Sequence, residues 1–107
     1  MTHPEQVAKR FTGDARIVAL LHDSIEDGET TEDELRSLYS KEVVDAVVIL
    51  TRRSDETYMQ YIDRVKEAGG IVLEVKLADL EVNLLRCSDS LAKRYIKAQK
   101  VLRKEDR

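Results

Sequence analysis

Ile71-Val-Leu-Glu-Val-Lys-Leu-Ala-Asp-Leu-Glu-Val-Asn-Leu-Leu85 is apolar around most of its circumference when read with the helical period. A segment of this kind has no face to give to water. It is therefore expected to be the central buried helix, running from Ile71 to about Arg86. Lys76, Asp79 and Asn83 interrupt it at i, i+3 and i+7, which places them on one stripe. A buried aspartate is costly unless it is paired or bound to a cation. Two readings fit: a Lys76–Asp79 contact within one solvated stripe, or a polar site set into the most apolar helix of the chain.

The second informative stretch lies upstream, at Val18-Ala-Leu-Leu-His-Asp-Ser-Ile-Glu-Asp27, with Gly28 behind it. Its apolar residues predict a helix from about Ala15 to Asp27, capped by Asp14 and stopped by Gly28. On such a helix His22 and Glu26 share a face, as do Asp23 and Asp27. Carboxylates at a helix C-terminus oppose the peptide dipole by several tenths of a kcal/mol each, yet three crowd this last turn. A bound cation reverses the sign of that local electrostatics. The plainer alternative is a solvated, acidic helix end with an ordinary histidine.

The remaining segments also read as helices. Thr2 and Glu5 form a capping box around Pro4, opening a short helix with Val7, Ala8 and Phe11 inward that ends near Thr12-Gly13; His3 sits at its mouth. Thr31 and Glu34 suggest a second box before a helix over Glu32 to Leu38. Ser40 caps Lys41 to Leu50, whose β-branched run could suit a strand; Asp45 within it and helical neighbours on both sides favour helix. A polar connection, Thr51 to Glu56, precedes an amphipathic helix from Thr57 to Ala68 with Tyr58, Tyr61, Ile62 and Val65 on one side. Gly69-Gly70 breaks it. Ser88-Asp-Ser90 offers caps for a last helix, Leu91 to Leu102, with the chain fraying from Arg103. The expectation is one all-α domain over residues 1–107.

Composition agrees and narrows the function classes. One Pro and four Gly in 107 residues suit a mostly helical chain. Four Tyr, one Phe and no Trp leave little for base stacking, and a net charge of -3 argues against a generic nucleic-acid binder. Lys93, Arg94, Lys97, Lys100, Arg103, Lys104 and Arg107 oppose only Glu105 and Asp106 at the C-terminal end. That basic face reads first as solvated; the other readings are a surface that attracts an anionic nucleotide or pairs with an acidic face in a homo-oligomer and, least favoured, nucleic-acid binding through this last helix. Cys87 is the only cysteine, which excludes an intramolecular disulfide and suits a reducing, cytoplasmic setting. A polar N-terminus and short apolar runs argue against a signal peptide and a membrane span.

Taken together, the chain offers His3, the adjacent His22 and Asp23, and Asp79 far downstream. Two imidazoles and two carboxylates make a mixed nitrogen and oxygen ligand set, suited to Mn²⁺, Fe²⁺ or Zn²⁺ and unlike a thiolate structural site.

His3-Pro4 with Val7-Ala8, Ala19-Leu-Leu-His-Asp23 with Glu26-Asp27, Leu50-Thr-Arg52, and Lys76-Leu-Ala-Asp79 with Asn83 occur in that order. This series resembles the HD-domain metal-dependent phosphohydrolases. Within them it is most similar to the guanosine tetraphosphate (ppGpp) hydrolase domain of RelA/SpoT-type proteins and their small stand-alone relatives. The resemblance spans about residues 2 to 86, with a weaker echo around Tyr95. It implies a compact HD-type helical bundle and one divalent metal, usually Mn²⁺, on His3, His22, Asp23 and Asp79. By the same resemblance, Glu26 and Asp27 match the catalytic acid pair that positions and activates water. Asn83 matches a residue lining the nucleotide pocket, and Lys76 and Thr51 fall in substrate-side motifs. The implied reaction is hydrolytic removal of the 3′-pyrophosphate from ppGpp or its pentaphosphate form. Family members carry helices before the His-Pro motif, where Met1 and Thr2 stand here, and a threonine is common at the position of Gly28. The expectation is thus an HD-type domain without those helices and with a looser loop after the acid pair. The other reading is a degenerate HD domain that binds metal, nucleotide or a protein partner without turnover.

Overall fold

Hydroxyl side chains decide where the helices begin. Thr2, Thr31, Ser40, Thr57 and Ser88 each accept the backbone N–H three residues on, at 3.1–3.4 Å. In the computed structural model, which describes residues 2–104, these caps open α1 (His3–Ala8), α3 (Glu32–Leu38), α4 (Lys41–Ile49), α5 (Tyr58–Ala68) and α7 (Asp89–Arg103). The two other helices are α2 (Gly13–Leu21) and α6 (Gly70–Leu84). Reciprocal capping boxes form at Thr2 and, with Gln60, at Thr57. At α3 only half of the expected box is made, because the Glu34 carboxylate accepts from the Thr31 hydroxyl. Arg103, where fraying was expected, is the last helical residue and pairs with Glu81 at 3.0 Å. Glu105, Asp106 and Arg107, counted in the basic C-terminal end, lie outside the described residues, as does Met1.

The protein is an all-α bundle wound around α6, which packs against α1, α2, α4, α5 and α7. Val72, Val75, Ala78, Leu80 and Val82 fill its circumference, as the apolar run requires. Val7 and Ala8 of α1, Val18 and Ala19 of α2, and Val43, Val44, Ala46 and Val47 of α4 close over it on one side. Tyr61, Ile62 and Val65 of α5 and Ala98 and Leu102 of α7 close the other. Each such valine or leucine contributes roughly 1.5–3 kcal/mol by leaving water. The radius of gyration is 13.4 Å, close to the ~13 Å of a compact chain of this length. Gly69 alone joins α5 to α6, and its φ of 62° and ψ of -157° demand glycine. No helix among the described residues is long and apolar enough to cross a membrane.

The largest departure from expectation is at α2. The second helix starts from Thr12, not Asp14, and stops at Leu21; residues 22–28 follow as consecutive turns ended by Gly28 at φ 75°. His22 and Glu26 therefore do not share a helix face, nor do Asp23 and Asp27. The cause is local. The His22 ring takes the Ala19 carbonyl and the Ser24 hydroxyl takes the Leu21 carbonyl, acceptors that further helical turns would use.

Candidate metal centre

The cap at Thr2 fixes α1 so that His3, its first residue, faces α6. There His3 Nε2 lies 2.6 Å from Asp79 Oδ1. His22 Nε2 lies 3.2 Å from the same oxygen and 3.3 Å from Asp23 Oδ2, which is 3.9 Å from His3 Nε2. One ligand atom from each of the four residues falls within 4.8 Å of all the others. His22 is 2% exposed and Asp79 3%, while His3 and Asp23 border the surface. The early end of α2 is what turns two adjacent residues, His22 and Asp23, toward one point.

The orientation of His22 is fixed from behind. A carbonyl only accepts, so Nδ1–H must donate to Ala19 O at 2.5 Å, which leaves Nε2 as the lone-pair nitrogen of a neutral ring. That lone pair faces two carboxylates. The arrangement is stable only with a proton or a cation between them. Without a cation it is the proton: burial disfavours the charged ring, but Asp79 and Asp23 hold the His22 pKa above its ordinary value. Two imidazoles and two carboxylates also fit a divalent transition metal chemically.

Lys76 and Asp79 of the α6 stripe are buried and Asn83 is half-buried, so the stripe is not a solvated face. Lys76 Nζ donates to Asp79 Oδ2 at 2.8 Å and lies 5.0 Å above the Tyr61 ring, and Asn83 Nδ2 is 3.5 Å from Asp79 Oδ1. Burial alone would raise the Asp79 pKa, but the Lys76 charge and the two imidazoles hold it well below the usual carboxylate range. Burial likewise disfavours the charged form of Lys76, and Asp79 outweighs it, keeping the amine charged. Asp23 goes the other way: burial, with the Asp79 charge nearby, raises its pKa against the pull of His22.

The acid pair splits. Glu26 sits at the mouth, its Oε1 accepting the Arg52 backbone N–H at 2.5 Å. Asp27 is exposed and outside the cleft described below. The loop presenting Arg52 has no regular structure, so side chains hold it. Arg64 of α5 donates to Glu56 at 2.8 and 2.9 Å, to Ile49 O at 2.8 Å and to Thr51 O at 3.2 Å. Arg52 Nε donates to Glu56 O at 3.1 Å. Arg64 lowers the Glu56 pKa from 4.5 to about 2. A depressed carboxyl stabilises the fold above its unfolded pKa and loses that contribution as pH falls through the folded value. The stability deficit of Glu56→Gln in urea melts should therefore be constant above pH 4.5 and shrink toward pH 2.

Beside the cluster opens a cleft of about 160 Å³. Asp23, Glu26, Lys76 and Tyr61 line it together with Arg52, Tyr58, Arg94 and Tyr95. Thr51 lies elsewhere, its hydroxyl donating to Val47 O at 2.9 Å and its side chain lining a neighbouring depression with Ile25 and Val48. Asn83 touches Asp79 and does not line the cleft. Sequence reasoning passed over Tyr58, which reads as a core position of α5, and Arg94, which reads as one more cation on α7. Compared with known proteins, the chain matches no family model and no curated protein.

Proposed function

We propose that this protein is a metal-dependent phosphohydrolase of the HD type, acting on a nucleotide pyrophosphate resembling ppGpp. The observation that carries the reading is the convergence of His3, His22, Asp23 and Asp79, with the His22 tautomer set by Ala19 so that Nε2 faces the acids. These four would hold a divalent ion, most suitably Mn²⁺. When bound, such an ion lowers the pKa of water and polarises a phosphoryl oxygen. Glu26, which lines the cleft, is the general base, oriented by the Arg52 N–H, while Asp27, its match in the acid pair, stands outside the cleft and takes no direct part there. Lys76, charged and lining the cleft, would meet the phosphoryl group while fixing Asp79.

One observation favours a second reading, an HD-type domain that binds without turnover. Asp79 already has Lys76, His3 and His22 as partners, so the cluster is satisfied as an internal ion network. The two readings separate in one assay: pyrophosphate release from ppGpp with Mn²⁺, run beside His22→Ala and Glu26→Ala. The hydrolase reading expects release by the wild type and at least a hundredfold loss in both variants. Stoichiometric Mn²⁺ binding without release would establish the binding domain instead.

A further inference from the structure

The cleft beside the cluster has a feature that neither the ligand set nor the acid pair uses. Two buried side-chain polar atoms lack a hydrogen-bond partner among the described residues: the Tyr58 hydroxyl and Arg94 Nε. Both residues line this one cleft. The Arg94 guanidinium carbon lies over the Tyr58 ring, 3.7 Å from its centre, and Arg52 approaches the same ring at 5.8 Å. Among the described residues no carboxylate pairs with Arg94, whereas Arg64 and Lys76 nearby are both committed to acids. Buried polar groups are normally satisfied, and exceptions in one place mark a missing partner. A partner for a hydroxyl, a guanidinium and a second arginine at the mouth must be an acceptor carrying negative charge.

Size narrows the class. Pockets that enclose a whole drug-sized ligand run about 300–1,000 Å³, and this cleft is about 160 Å³. It admits a phosphoryl or pyrophosphoryl group and leaves the rest of any nucleotide outside. Asp23 and Glu26 also line the cleft and repel such an anion, so its place is beside Tyr58 of α5 and Arg94 of α7.

We infer that Tyr58 and Arg94, with Arg52 at the mouth, form a subsite for a phosphate or pyrophosphate group that binds without the metal. The stacked guanidinium swings on its stem to present N–H groups to phosphoryl oxygens while the Tyr58 hydroxyl donates to a third. As the subsite of the reaction, this rests on the phosphohydrolase reading; as an anion site, it does not. The test is calorimetric titration of the metal-free protein with inorganic pyrophosphate and, separately, phosphate. Saturable 1:1 binding is expected, weakened at least tenfold by Arg94→Gln and several-fold by Tyr58→Phe. Lys100→Gln, an equal charge change on the same helix outside the cleft, should leave it unaltered. Arg94→Lys, which keeps the charge without the planar stack, should fall between, and thermal melts of each variant certify folding. Tighter pyrophosphate than phosphate binding assigns the larger group. Absence of binding at millimolar ligand, or equal weakening by Lys100→Gln, overturns the subsite. Binding with these sensitivities but without pyrophosphate release from ppGpp keeps the subsite and rejects that reaction. Release with an affinity indifferent to Arg94 does the reverse.

Discussion

Asp79→Asn is expected to lower the unfolding free energy by about 3–5 kcal/mol, the range for removing one member of a buried ion pair. The substitution conserves shape, so no cavity enters the cost. What changes is charge: Lys76 is 9% exposed, with its ammonium on Asp79 Oδ2, and the neutral amide leaves that charge buried against the Tyr61 ring. His22 and His3 keep an amide oxygen as acceptor but lose the negative charge beside them. On the metal reading the same variant loses one of four ligands, and Mn²⁺ affinity should drop by orders of magnitude. Urea unfolding measures the first effect and calorimetric titration the second. A double variant, Asp79→Asn with Lys76→Met, should recover a large part of the stability while recovering no metal binding, because removing the stranded charge removes the desolvation penalty only. A single variant as stable as the wild type would mean that the pair is solvated after all.

Most of the helices were legible because caps and period agree at them. Thr31, Ser40, Thr57 and Ser88 stand immediately before amphipathic or apolar runs, and the apolar circumference of Ile71–Leu85 leaves it only a central position. The end of α2 was not legible, because the apolar pattern continues through Ile25 while the backbone does not. Two side chains divert carbonyls there, and hydropathy is blind to hydrogen bonds. The same holds at the site. Residue types singled out His3, His22, Asp23 and Asp79, but their convergence on one point is tertiary. Arg64 and Arg94 show the limit most clearly: both are arginines on amphipathic helices, yet one clamps a loop and the other lies on a tyrosine. Nothing in helical spacing distinguishes them, since what differs is the element packed opposite.

Adding Mn²⁺ should raise the melting temperature, and the size of the increase should grow with pH. At a free concentration a hundredfold above the dissociation constant, a ligand of the native state contributes about 2.7 kcal/mol, on the order of 10 °C for a domain of this size. The metal needs the Nε2 lone pair of His22, and a proton competes for it. In the metal-free protein the His22 pKa is raised above 6.5, against burial and through Asp79 and Asp23. A group with a raised folded pKa stabilises fully below its unfolded value and loses that contribution as pH rises through the folded one. The metal-free cluster is therefore strongest in acid, where Asp79 remains ionised beside a charged ring, and weakest in mild base, where lone pair faces carboxylate. Metal binding has the opposite slope. Melts with and without Mn²⁺ between about pH 5.5 and pH 8, a window bracketing histidine titration, should show the two curves diverging upward in pH. His22→Ala should flatten both the metal-free slope and the metal increment. An increment that does not change with pH would place the ion on surface carboxylates, because only a site competing with the His22 proton couples the two.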